Sequence, residues 1–134
     1  RPGDHLSTFG SNPVSCAASL ANIDFMAENK IVEQSAEKGE FLKAALAAIT
    51  PKNLHMGEIR GKGLMVGIEL VEDLETKAPA AVQAGKIRAA MRERGVLIGV
   101  GGGFGNVLRI QPPLSISKEE LSRVVDTLKE VLES

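Results

Sequence analysis

Apolar residues recur along this chain with two different periods. Between Pro13 and about Glu28 they fall on most faces of a helix: Val14, Ala17, Ala18, Leu20, Ala21, Ile23, Phe25 and Met26. Asn12-Pro13 marks the start, because Asn caps free N–H groups and Pro at the first helical position lacks one. A helix this apolar is normally covered on several sides, so it implies a partner surface. A second helix is predicted over about Lys30–Ile49, with Ile31, Phe41, Leu42, Ala45, Leu46 and Ile49 at helical spacing. Gly39 weakens it locally and Thr50-Pro51 ends it.

The period then changes. In "HMGEIRGKGLMVGIELV" (55–71), Ile59 and the run Leu64, Val66, Ile68, Leu70 fit two short strands, or one strand with a bulge at Gly61-Lys62-Gly63. Residues 72–79 read as a charged, solvated loop. A third helix, about Ala80–Arg94, stops at Gly95, which suits a left-handed cap. "VLIGV" (96–100) and "VLRIQ" (107–111) predict a hairpin around the turn "GGGFGN", and Pro112-Pro113 ends the pairing. Ser117 with Glu120 forms a capping box for a last helix, Lys118 to about Glu133. Its buried stripe is Leu121, Val124, Val125, Leu128 and Leu132. The order α-α-β-β-α-β-β-α predicts an α+β fold, with helices packed on one face of a small, mostly antiparallel sheet.

With 134 residues, the chain can bury one core. A net charge of −1 leaves no electrostatic footprint for nucleic acid, and four Phe with no Tyr or Trp leave no stacking platform. No apolar run approaches the ~20 residues that cross a bilayer, and no signal peptide is visible. The single Cys16 excludes an internal disulfide and a Cys-based zinc site. It suits a reducing cytoplasm, and it reads as a small buried apolar residue. Because the chain begins at Arg1, a piece of a longer protein is expected.

The glycines fail the two common phosphate motifs. Gly61-Lys62 is followed by Gly63 and Gly85-Lys86 by Ile87, where a Walker loop needs Ser or Thr. Gly61-x-Gly63 leads to Val66 and a strand, where a dinucleotide fingerprint needs Gly and a helix. His5 and His55 stand in no metal-ligand spacing. Two segments keep a chemical reading. "GDHLSTFGSNP" (3–13) is either a frayed leader or a loop whose hydroxyls and unblocked N–H groups hold something. Arg109, between Leu108 and Ile110, lies on the opposite strand face from both. It predicts either a carboxylate clamp or an internal ion pair with Glu69 or another strand acid. Arg60 reads as a structural or surface arginine beside a turn.

Four segments, in order, resemble class III pyridoxal-phosphate aminotransferases. "GDHLSTFGSNPVSCAASL" is similar to that family's H-x-x-T-F-G-G-N-P loop and helix, and "EIRGKGLMVGIELVEDLETKAP" to its V-R-G-x-G-L-M-x-G-I-E-L segment. "RERGVLIG" resembles its G-(L/V)-L strand, and "GNVLRIQPPLSISKEEL" its R-x-x-P-P-L strand and helix. The sequence departs at Ser11, where the family has Gly, and at Leu6 after the His.

The resemblance implies the small C-terminal domain of a fold-type I aminotransferase. Residues 1–12 would be a cofactor-phosphate loop belonging to a large domain, and 13–134 the C-terminal domain, with 13–28 an interdomain helix. Thr8, with Ser7 and Gly10, would bind the phosphate of pyridoxal 5'-phosphate across a homodimer. Arg109 would hold the α-carboxylate of an amino acid or keto acid. The lysine that carries the cofactor lies upstream in the family, so this piece by itself is expected to be inactive. The 4-aminobutyrate or alanine–glyoxylate type is favoured over acetylornithine. The rival reading is a non-catalytic α+β interaction module.

Overall fold

The computed structural model describes residues 8, 10, 12–49 and 55–133. His5, Leu6, Ser7, Ser11 and Thr50-Pro51, singled out above, lie outside the described residues. The chain divides into two compact units, Arg1–Val32 and Glu33–Ser134. Its elements follow the predicted order: α1 (Pro13–Glu28), α2 (Ile31–Ala47), β1 (His55–Lys62), β2 (Met65–Val71), α3 (Ala81–Glu93), β3 (Gly99–Gly101), β4 (Val107–Ile110) and α4 (Lys118–Glu133).

In the first unit, α1 begins as expected. The N–H groups of Val14 and Ser15 donate to Asn12 Oδ1 at 3.0 and 3.1 Å, and Pro13 opens the helix. The helix buries none of its residues, and Val14, Leu20 and Ile23 are 78, 62 and 60 % exposed. Cys16, expected to be buried, is therefore exposed. The helix that carries this small apolar side chain buries none of its residues, so composition alone misjudged its burial.

In the second unit, the four strands form one sheet in the order β1-β2-β4-β3, and every neighbouring pair is antiparallel. Alternation sends Val66, Ile68 and Leu70 of β2 and Leu108 and Ile110 of β4 to one face. There they share one core with Leu42 and Leu46 of α2, Ala84, Ile87 and Met91 of α3, and Leu121, Val125, Leu128 and Leu132 of α4. These three helices thus cover one face of an antiparallel sheet, as the pattern predicts. Phe41, expected in the stripe of α2, is instead 36 % exposed, one position off the face that carries Leu42.

The two alternatives for 55–71 resolve into two strands joined at Gly63-Leu64, with Gly63 at φ +53°. The irregularity in pairing falls between Met56 and Glu58, not at 61–63. Helix α2 presses on this hairpin: a Cβ on Gly39 would overlap the carbonyl oxygen of Gly63 and lie 2.5 Å from its carbonyl carbon. Ser35 Oγ accepts from the Leu64 N–H at 3.3 Å just beside it. Gly39, which reads as a weak point of the helix, is a contact point.

Strand β3 starts at Gly99, three residues after the predicted Val96. The cause is the end of α3. Gly95, at φ +77°, donates to Arg92 O at 3.0 Å, and the Val96 N–H donates to Met91 O at 3.0 Å. This is a Schellman cap, with buried Val96 against buried Met91, and it engages Val96 in ending the helix. Ahead of α4, Glu120 N–H donates to Ser117 Oγ at 3.1 Å and Ser117 N–H donates to Glu120 Oε2 at 2.9 Å, closing the capping box.

Candidate carboxylate and phosphate sites

Arg109 lies on the sheet face opposite the helices, in β4, which β2 and β3 flank. Its cross-strand partners are Gly67 on β2 and Gly99 on β3. Neither carries a side chain, so the guanidinium has an unobstructed berth. It lies over β3: a Cβ on Gly99 would stand 3.1 Å from Nε and 3.2 Å from Nη2. The same construction on Gly101 would stand 3.9 Å from Cδ and Nε. Arg109 is exposed and makes no hydrogen bond or ion pair among the described residues. Water can satisfy its five donors, and a carboxylate can replace that water with two parallel hydrogen bonds.

The ion pair with Glu69, the other reading of Arg109, does not form. Glu69 Oε2 pairs with Arg60 Nη1 at 3.1 Å, and the same nitrogen contacts Glu58 Oε2 at 2.6 Å. Glu69 first and Glu58 second hold the Arg60 guanidinium above its ordinary pKa. Arg60 is thus a surface arginine, as read, but it bridges two carboxylates. Alternation puts Arg60, Glu58 and Glu69 on the outward face; the sequence has no signal for the register that joins them.

The phosphate candidates lie in the first unit. Thr8 and Gly10 occupy turns and are exposed; Ser7 lies outside the described residues. A shallow groove of about 510 Å³ runs along Gly10, Asn12, Ser15, Cys16, Ser19 and Leu20, and none of the described residues that line it is acidic. Asn12 already engages the Val14 and Ser15 amides. It does so through its acceptor Oδ1, so its side-chain N–H groups, the Ser15 hydroxyl and the Gly10 N–H along the groove, with the Thr8 hydroxyl in the same unit, are donors suited to a phosphate. That donor set fits an anion. A separate depression of about 900 Å³ is lined by Arg88, Arg92, Leu97 and their neighbours on α3 and before β3, and holds none of the predicted site residues.

Residues 1–132 match the family model Aminotransferase class-III. The chain belongs to the class III aminotransferase family. The chain is 42 % identical over 124 residues to alanine–glyoxylate aminotransferase 2 homolog 2, mitochondrial, of Arabidopsis thaliana, covering 92 % of the chain and 26 % of that protein. To the acetylornithine aminotransferase of Methanothermobacter thermautotrophicus it is 41 % identical over 131 residues, covering 98 % of the chain and 30 % of that protein. The crystal structure of a Bacillus anthracis aminotransferase superposes with a TM-score of 0.82 at 39 % identity, covering 96 % of the chain and 30 % of the crystallised one. The chain thus spans between a quarter and a third of the length of these class III aminotransferases. Class III aminotransferases depend on pyridoxal phosphate.

Proposed function

We propose that the protein carrying this chain is a transaminase that moves an amino group between an amino acid and a keto acid. The single observation that carries the reading is Arg109: a guanidinium with no partner among the described residues, on the sheet face opposite α2, α3 and α4 and bordered by Gly67 and Gly99. It would take the substrate α-carboxylate in its planar fork and so orient the reacting carbon. Pyridoxal phosphate, when bound, supplies the electron sink for the chemistry. Thr8 and Gly10, with Ser7, would donate hydrogen bonds to its phosphate, across a homodimer interface as the family resemblance implies. In this reading residues 1–12 belong to the large domain, and the exposed apolar α1 packs on surfaces outside this chain. The catalytic lysine lies upstream, so this chain by itself is inactive.

The alanine–glyoxylate or 4-aminobutyrate type remains our reading of the substrate. The alanine–glyoxylate relative supports it, although the acetylornithine relative is nearly as similar, at 41 against 42 % identity. The cytoplasm is the proposed compartment, on the strength of a single, free Cys16. Among the described residues no helix is long and apolar enough to cross a membrane.

Two substitutions in the full-length protein test the site. Arg109→Lys keeps the charge but loses the fork, and should raise KM for carboxylate substrates by about tenfold with a smaller change in kcat. An unchanged KM removes the clamp. Thr8→Ala should speed cofactor loss on dialysis, read by the protein's bound phosphate, with unchanged circular dichroism. Equal retention removes the phosphate role.

A further inference from the structure

The outer sheet face sorts its charges. Arg60, Gly67, Arg109 and Gly99 stand in one row across the four strands, and Glu58, Glu69, Val107 and Gly101 in the next. Glu69 is therefore a diagonal neighbour of two arginines, Arg60 on one side and Arg109 on the other. Diagonal pairs of this kind stand roughly 7–8 Å apart, within reach of long side chains. Register alone lets Glu69 turn either way.

Two features decide the direction. Glu58 stands directly opposite Glu69, and like charges in that position repel unless a cation lies between them. Arg60 fills that place, 2.6 Å from Glu58 and 3.1 Å from Glu69. On the other side, the missing Cβ of Gly99 lets Arg109 lie toward β3, away from Glu69. Without Arg60, Glu69 would face an unneutralised Glu58 on one side and a guanidinium on the other.

We infer that Arg60 is a positioning residue, which holds Glu69 against β1 and so keeps Arg109 available to an external carboxylate. This rests on the reading of Arg109 as the substrate clamp. Arg60 touches neither substrate nor cofactor in this scheme; it acts through Glu69. Its side chain is 47 % exposed, so its ion pairs contribute little to stability and its removal leaves the fold intact.

The test uses the full-length holoenzyme and propionate, a carboxylate with no amino group to react. Calorimetric titration measures its binding to the parent and to four variants. Arg60→Gln should weaken binding about tenfold, within the range of couplings between neighbouring residues. Glu69→Gln, with Arg60 kept, should bind propionate as the parent does. The double variant Arg60→Gln/Glu69→Gln should return to the parent value, a rescue that a merely structural role for Arg60 would not produce. With an amino acid that the enzyme turns over, Arg60→Gln should raise KM and leave kcat unchanged. Arg109→Leu separates the two ideas. If the parent does not bind propionate, or Arg109→Leu binds it equally well, the clamp itself fails. If Arg109→Leu loses binding while Arg60→Gln keeps it, or the double variant is not rescued, the role of Arg60 alone is overturned.

Discussion

Replacing Gly39 by Ala sets two local effects against each other. In an exposed helix interior this change gains about 1 kcal/mol, because Ala loses less backbone entropy. Here the new Cβ would lie 2.5 Å from the Gly63 carbonyl carbon and 2.8 Å from its Cα, besides overlapping its oxygen. Carbon atoms rest at about 3.5–4.0 Å, so α2 or the β1–β2 turn must shift by about 1 Å. Moving the turn away from α2 stretches the hydrogen bond that the Leu64 N–H donates to Ser35 Oγ, one helical turn before Gly39. The helix cannot lift either, because Leu42 and Leu46 on it are fully buried. Overpacking of this kind costs about 1–3 kcal/mol, more where backbone must move. With the propensity gain subtracted from the upper end, the net loss is about 2 kcal/mol. Gly85→Ala in α3 is the control, since a Cβ there meets nothing within 4 Å. It should gain about 0.5–1 kcal/mol. Urea unfolding of the full-length protein, followed by circular dichroism, should move the two midpoints in opposite directions. Equal stabilisation by both would refute the contact argument.

Two further substitutions probe the frame that carries Arg109. Ser117→Ala removes the acceptor for the Glu120 N–H at the start of α4 and should cost about 1 kcal/mol in the same unfolding assay; no change would mean that water or Glu120 itself replaces the cap. Asn106→Ala should cost about 1–2 kcal/mol, because the buried Asn106 Nδ2 donates to Leu70 O at 2.9 Å. Hydrogen exchange should quicken at the end of β2 next to β4, and protection unaltered there would count against Asn106 as an extension of that ladder.

Local chemistry in the sequence was enough for the elements and their faces. The Asn12-Pro13 start of α1, the Ser117–Glu120 box of α4 and the Gly95 stop of α3 each depend on atoms within a few residues, and all three form as read. Alternation around Arg109 likewise put it outside the core, since Leu108 and Ile110 must share the other face. Whatever depended on partners distant in sequence was decided by the tertiary structure. Cys16 and Phe41 were misjudged because an apolar side chain is buried only where something packs on it. Strand β3 began late because Val96 was engaged by a cap five residues behind it. Glu69 chose Arg60 over Arg109 because the register set Glu58 opposite it, with Arg60 placed to bridge the two carboxylates. Hydrogen bonds within one turn are written by neighbours along the chain, whereas cross-strand pairing and helix contact exist only once the chain has brought distant segments together.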